Sequence, residues 1–137
     1  MTAEDGNALA QRAKAARNAG RLAEAIALYA EAAESARREG DALTLAHRLR
    51  HIGDIHLDQD RTDAAAPFYD EALALYRSRA DVRPLDLANA LRPMALLNEA
   101  RDQPEAARHC WSEARDLYAR EGVEAGVAEC ERHLARR

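Results

Sequence analysis

The stretch Ala65-Ala66-Pro67-Phe68-Tyr69-Asp70-Glu71-Ala72 decides the fold, because its pattern occurs three times in the chain. Ala65, Tyr69 and Ala72 have the spacing Ala-x3-aromatic-x2-Ala, which places them on one face of a helix with 3.6 residues per turn. Such a face packs closely on a second helix, because alanine lets the backbones approach while the ring fills the remaining space. The other two copies consist of Ala25, Tyr29 and Ala32, and of Ala107, Trp111 and Ala114.

The three copies recur at nearly constant distances along the chain, as the positions of Tyr29, Tyr69 and Trp111 show. Internal repetition with a period of about 20–50 residues is typical of stacked repeats, including helical hairpins. The helix before each copy repeats with the same steps and completes the predicted repeat core, in which Leu49 aligns with Leu91 and Gly53 aligns with Ala95.

The pattern predicts an all-α protein with seven helices, arranged as three helical hairpins and a C-terminal capping helix. A shift by two repeats, which brings Arg50 onto Arg132, aligns the last segment with the first helix of the second repeat, so this segment is predicted to cover the third hairpin. Gly53 is expected at a close helix contact, because glycine inside a helix costs about 1 kcal/mol relative to alanine. Pro93 is expected to bend the fifth helix. Residues 1–137 are predicted to form a single domain, with repeat 1 at about 5–40, repeat 2 at about 42–80, repeat 3 at about 84–121 and the capping helix at about 123–136.

The repeated residues resemble those of the tetratricopeptide repeat family. The family pattern of its first helix, helix A, is kept best by Leu49, Ile52, Gly53 and His56, and the Ala-x3-aromatic-x2-Ala pattern of helix B is present in all three repeats. The repeats are longer than the usual ~34 residues, and so look like those of the kinesin light chain variety. The resemblance implies a right-handed α-solenoid whose A helices line a concave groove for peptides. The expected function is therefore non-catalytic protein–protein interaction.

The groove face carries an arginine on each of three A helices. If Leu49, Ile52 and Gly53 pack inward, the residues on the opposite side of their helix point to the groove. A guanidinium binds both oxygens of a carboxylate, so an acidic partner segment is expected. The alternative is an ordinary solvated face, partly neutralised by Glu99 and Glu129. The arginines, which are expected to be solvated, are Arg50, Arg92 and Arg132, and the other candidate ligand contacts are His47, His51, Asp54, Asn89, Lys14 and Asn18.

Other site chemistries find weaker support in the sequence. We predict no catalytic residue and no cofactor, because no nucleophile or glycine-rich phosphate loop is recognisable. His47 and His51 have the i, i+4 spacing of metal ligands but no third ligand, so no metal is predicted. Trp111 is predicted to be core. The acidic residues Asp58, Asp60 and Asp63 are interpreted as a helix-capping turn, because a calcium loop would need glycine and glutamate at positions where this segment has other residues. The two cysteines, Cys110 and Cys130, are predicted to be out of register for a disulfide.

Composition limits the classes of partner. The chain has 137 residues, with 47% hydrophobic and 4% aromatic residues, which suits close-packed helices better than a sheet. Its net charge of -4 favours neither nucleic acid nor anionic lipid. No signal peptide or membrane span is expected, and a cytoplasmic location is predicted. The partner is expected to be a protein or peptide; the alternatives are a homodimer through the end that bears Val123 and Val127 and, less favoured, nucleic-acid binding through the arginines.

Overall fold

The computed structural model describes residues 5–136, and this part of the chain folds into helices. Within it there are seven helices and no strand, so the predicted all-α class is confirmed. The helices are α1 Gly6–Asn18, α2 Leu22–Glu39, α3 Ala42–Asp58, α4 Thr62–Arg77, α5 Pro84–Ala100, α6 Pro104–Arg120 and α7 Glu124–Leu134.

The contacts divide the chain into two compact units, Met1–Leu75 and Tyr76–Arg137. In the first unit α1 packs on α2 and α2 packs on α3; in the second, α5 packs on α6 and α6 packs on α7. Packing of each helix on the next is typical of hairpin repeats. The single domain and the repeat boundaries stay predictions. None of the helices in residues 5–136 has the length and hydropathy needed to cross a bilayer.

The repeated positions form the buried core of both units. Tyr69 is fully buried, and Trp111 is 1% exposed. The alanines around these rings are also buried, so each aromatic stripe faces a neighbouring helix. The residues assigned to the repeat core by the pattern are all buried, namely Ala25, Tyr29, Ala32, Leu49, Gly53, Ala65, Tyr69, Ala72, Leu91, Ala95, Ala107, Trp111 and Ala114.

Two glycines allow a helix to lie directly on an aromatic ring. A Cβ at Gly53 of α3 would lie 2.9 Å from ring atoms of Tyr69 in α4. A Cβ at Gly126 of α7 would lie 2.6 Å from Cγ of Tyr118 in α6. The close contact predicted for Gly53 is therefore confirmed. The ring of Tyr69 fits because glycine has no Cβ.

Left-handed residues end the A helices. Gly20 follows α1 with φ +80°, while Asp60 after α3 and Asp102 after α5 have φ +58° and +57°. At each of these turns a backbone N–H returns to a carbonyl in the last turn of the helix, as from Arg21 to Ala16 at 2.8 Å. Aspartate tolerates this conformation better than most residues, which lets it replace glycine at two of the three turns.

Proline interrupts two helices without ending them. Helix α5 continues through Pro93, and α4 continues through Pro67, for which no effect was expected from the sequence. Each proline lacks the N–H that would bond to the preceding turn. The bend expected at Pro93 stays a prediction.

Candidate functional site

A cleft of about 400 Å³ lies between α1 and α3 in the first unit. It brings together Lys14, His47 and His51, which are three of the predicted ligand contacts. Asn18 is exposed at the end of α1 and does not line this cleft. The lining residues are Asn7, Ala10, Gln11 and Lys14 of α1, Tyr29 of α2, and Thr44, His47, Arg48 and His51 of α3.

Two stacked rings form part of the cleft. The ring of His51 lies on the ring of Tyr29, with 5.2 Å between centroids and 15° between planes. Burial is the largest of the causes that lower the pKa of His51 to about 4, and the positive charges of Arg50, Arg17, His47 and Lys14 are the others. At neutral pH the imidazole is therefore uncharged and serves as an aromatic surface.

Arg48 supplies a buried cation to the same cleft, with 6% of its surface exposed. Its Nη1 donates to the carbonyl oxygen of Ala32 at 2.7 Å, and its Nη2 donates to Oδ1 of Asn7 at 2.9 Å. Both acceptors are uncharged, and across residues 5–136 no carboxylate contacts this guanidinium. Gly6 leaves room for the group, because a Cβ there would lie 2.7 Å from Nη1.

Arg48 was not among the predicted contacts. It lies on the same helix face as the buried Leu45 and Ile52, and an arginine on an apolar face is the sequence signal that marks such a residue. The predicted groove residues of α3 all lie on its opposite face, which does not include Arg48.

Asp54 is the centre of a second polar group in the first unit. The hydroxyl of Tyr69 donates to its Oδ1 at 2.6 Å, and Nη1 of Arg50 lies 3.8 Å from its Oδ2. Burial raises the pKa of Asp54, while the bond from Tyr69 and the charge of Arg50 act against this change. Only 16% of the Arg50 side chain is exposed, so the expectation that Arg50 is solvated is wrong. Its i, i+4 partner Asp54 draws it along the surface of α3 into a partly buried position.

A second cleft, of about 550 Å³, lies between α5 and α7 in the second unit. Here Nε of Arg92 donates to Oε1 of Glu129 at 2.5 Å, and Nη2 donates to Oε2 at 3.0 Å. These bonds lower the pKa of Glu129. Asn89 accepts a hydrogen bond of 2.8 Å from the hydroxyl of Tyr118, while Arg132 is exposed at the cleft. Arg92 is thus neutralised inside the chain, and Arg132 is the solvated member of the predicted column.

The two clefts occupy equivalent positions of the repeat and differ in charge. The shift by two repeats that brings Arg50 onto Arg132 also relates their linings. Two cationic side chains of the first cleft have uncharged equivalents in the second unit, and the second cleft has an arginine–glutamate pair that the first lacks. Both members line their clefts in the pairs Asn7 and Asn89, Ala10 and Arg92, Thr44 and Gly126, and His47 and Glu129. Lys14 and Arg48 line the first cleft, whereas their equivalents Leu96 and Cys130 do not line the second.

Trp111 and His133 form a stacked pair of rings in the second unit, as Tyr29 and His51 do in the first, and Glu99 contacts both rings. Its ring lies 4.0 Å from that of His133, at 18° between planes. Nε1 of Trp111 donates to Oε2 of Glu99 at 2.9 Å, and Nδ1 of His133 lies 2.9 Å from the same oxygen. Trp111 is therefore core, as predicted, but it also binds Glu99, which was expected to neutralise arginines instead. This contact joins three helices, so helical spacing alone gave no signal for it.

The sequence model of the family described as tetratricopeptide repeat matches residues 4–78, more than half of the chain. The chain belongs to the tetratricopeptide repeat family. Among solved structures, this tetratricopeptide repeat protein is similar to BtubC (BKLC) from P. vanneervenii, with a TM-score of 0.70 and 15% identity. The alignment covers 98% of this chain and 66% of BtubC, less than two thirds of that protein. No curated protein sequence matches the chain.

The outer face of α7 in this tetratricopeptide repeat protein is only partly apolar. A cleft of about 370 Å³ there is lined by Val123, Val127 and Ala128, together with Glu124 and Glu131. The shift by two repeats places Glu131 at the position of Leu49, which is 5% exposed in the first unit. A polar outer face is typical of the terminal helix of a repeat array.

Asp58, from the acidic turn predicted between α3 and α4, forms an ion pair. Nη2 of Arg17 donates to Oδ2 of Asp58 at 2.9 Å, which links the ends of α1 and α3. Across the described range 5–136, no three His, Cys, Asp or Glu side chains come together as metal ligands would. Cys110 and Cys130 are free thiols, and burial raises the pKa of Cys130 to about 11.

Proposed function

We propose that this chain is a non-catalytic interaction module that binds a peptide or partner segment on its A-helix faces. The observation that carries the proposal is a cleft at the same repeat position in each unit, between α1 and α3 and between α5 and α7. Proteins of the tetratricopeptide repeat family generally mediate protein–protein interaction. The two clefts are the surfaces through which this chain would do the same.

Close helix packing supplies the rigidity that such binding requires. Gly53 against Tyr69 and Gly126 against Tyr118 hold the A helices on their neighbours with no space for slippage. A preformed surface lowers the entropy lost when a segment is immobilised, so few polar contacts suffice for affinity. Asn89, Lys14 and Arg132 are the proposed polar contacts that lie at or near solvent.

The charge of the clefts supports a preference for an acidic segment, although not through an even column of arginines. Arg50 is engaged by Asp54, and Arg92 is engaged by Glu129. Lys14 and Arg132 are exposed, each at the cleft of its own unit. We propose that these two cations make the first contacts with carboxylates of the partner.

The test compares capture of proteins from cell lysate by the wild type and by the Lys14→Glu/Arg132→Glu variant. The matched control, Arg38→Glu/Arg120→Glu, reverses two exposed arginines at the ends of α2 and α6. We expect a partner that binds the wild type and the control but not the A-helix variant. If the A-helix variant retains every partner of the wild type, the A-helix faces are not the binding surface.

The homodimer through α7 is less well supported, because Glu131 interrupts the apolar face that bears Val123 and Val127. Nucleic-acid binding through the arginines is weaker again, since Arg50 and Arg92 already contact carboxylates. A mass that rises with protein concentration would favour the dimer. Binding with a steep salt dependence would favour nucleic acid.

A further inference from the structure

The charge of Arg48 is not explained by the fold. A buried guanidinium without a carboxylate costs free energy, because its hydration is lost and its hydrogen-bond acceptors are neutral. The equivalent position in the second unit is Cys130, an uncharged side chain that is fully buried. The same helix arrangement therefore forms without a cation at this position.

A second position changes together with Arg48. Gly6 lies against the guanidinium, and a Cβ there would come within 2.7 Å of Nη1. The equivalent of Gly6 is Ala88, which is fully buried in the second unit. Glycine thus accompanies the arginine, and alanine accompanies the cysteine. The first unit therefore has room for a buried arginine side chain at the α1–α3 cleft.

Lys14 adds a second permanent charge to this cleft, where the second unit has Leu96. Among the described residues, no acidic side chain lines the cleft. Two carboxylates at the starts of α1 and α3 are held as helix caps: Asp5 accepts the N–H of Asn7, and Asp41 accepts the N–H and hydroxyl of Thr44. In the cleft of the second unit, by contrast, the guanidinium of Arg92 is paired with the carboxylate of Glu129. Arg48 and Lys14 thus give the first cleft two permanent positive charges, and none of its described lining residues is a carboxylate.

We infer that the α1–α3 cleft binds a phosphate monoester dianion, carried by a phosphorylated side chain of the partner segment. A phosphate monoester has a charge of about -1.5 to -2 near pH 7, whereas a carboxylate has only one charge to set against Arg48 and Lys14. Two of the five N–H groups of Arg48 are used within the chain, which leaves others for phosphate oxygens. The inference that a partner segment carries the phosphate rests on the proposed function. The inference that the cleft binds a phosphate group does not.

The experiment is an NMR titration of the wild-type chain with three acetylated tripeptide amides, Ala-phosphoserine-Ala, Ala-Ser-Ala and Ala-Glu-Ala, and with inorganic phosphate. We expect the phosphoserine peptide to shift the Nε–H signal of Arg48 and the ring signals of His47, with about 10-fold tighter binding than the glutamate peptide. It should also bind more tightly than inorganic phosphate, because Ala10 and Tyr29 offer apolar contacts to the peptide. If inorganic phosphate binds as tightly as the phosphoserine peptide, the ligand is not a phosphorylated peptide. If the glutamate peptide binds as tightly as the phosphoserine peptide, the cleft does not select a dianion.

Variants then test whether Lys14 and Arg48 bind the phosphate. Lys14→Gln, at an exposed position, is expected to weaken phosphoserine binding about 10-fold. Gly6→Ala/Arg48→Cys imitates the second unit, and is expected to fold and to lose the preference for phosphate over glutamate. The control Arg38→Gln, which removes an exposed charge from α2, should leave binding unchanged. Unaltered phosphoserine binding by Lys14→Gln overturns the proposal whether or not the double variant folds. These titrations contain no partner protein, so their failure is distinct from failure of the lysate experiment.

Discussion

At the scale of single residues, the same stacked pair of rings occurs in both units with different charged neighbours. His51 lies on Tyr29 among basic side chains, while His133 lies on Trp111 beside the carboxylate of Glu99. The shift by two repeats relates Arg17 to Glu99, so one substitution reverses the sign of the neighbouring charge. Burial is the largest cause of the lowered pKa of His51, and the positive charges of Arg50 and Arg17 act in the same direction.

His51 should make the stability of the protein depend on pH between about 6.5 and 4. The pKa of His51 is lowered to about 4 in the folded chain, so in this window the unfolded chain binds a proton that the folded chain does not. Stability is then fully present above pH 6.5 and falls as the pH decreases towards 4, by at most about 3 kcal/mol. Urea unfolding of the wild type and of His51→Gln at several pH values measures this dependence. An equal dependence in both proteins would contradict the assignment.

The three arginines of the predicted column should differ in their effect on stability. Arg132→Ala removes an exposed side chain, and is expected to change the free energy of unfolding by less than ~0.5 kcal/mol. Arg92→Ala removes a bidentate, partly buried pair and is expected to cost about 1 kcal/mol. Urea unfolding at neutral pH compares the two variants. Equal stabilities would show that the pair with Glu129 adds nothing to the fold.

At the scale of helices, contact between a glycine and a ring fixes how α3 meets α4 and how α7 meets α6. Tyr69 lies on Gly53, and its hydroxyl reaches Asp54 one residue further along α3. The ring thus fills space and satisfies a partly buried carboxylate at the same crossing. This double role explains why burial and Asp54 together raise the pKa of Tyr69.

Gly53→Ala is expected to destabilise the protein, although alanine is the better helix former. The added methyl group would overlap the ring of Tyr69, at a cost of about 1–3 kcal/mol, against a gain of about 1 kcal/mol in helix propensity. Gly126→Ala should behave alike, because the ring of Tyr118 lies 2.6 Å from the added atom. Chemical unfolding followed by circular dichroism gives both values. An increase in stability for either variant would mean that its ring can move aside.

At the scale of the whole molecule, the polar residues on α7 should keep the protein monomeric. We expect a mass of 15.1 kDa at all concentrations in sedimentation equilibrium, because Glu131 occupies the position of the buried Leu49. Glu131→Leu would join Val127 and Ala128 in one apolar face and is expected to produce concentration-dependent association. The control Glu105→Leu, at an exposed position of α6, should remain monomeric. A dimer of the wild type would instead support the alternative function.

The sequence by itself determined the all-α class, the order of the helices and the residues of the repeat core. The 3.6-residue period assigns every position in a helix to a face, so Tyr29, Tyr69 and Trp111 could be placed in the core without knowledge of their neighbours. The same reasoning placed Gly53 at a close contact. Only the local geometry of a helix is needed for such predictions.

The tertiary structure alone decided which charged side chains meet. Arg92 and Glu129 lie on different helices, as do Trp111 and Glu99, and Arg48 and Asn7. Whether such groups come within hydrogen-bond distance depends on the rotation and axial position of one helix against another, which close packing of many side chains sets together. Sequence period fixes a face but not this register. For that reason the groove face was predicted from the sequence, while the neutralised arginine, the buried cation and the difference between the two clefts required the folded chain.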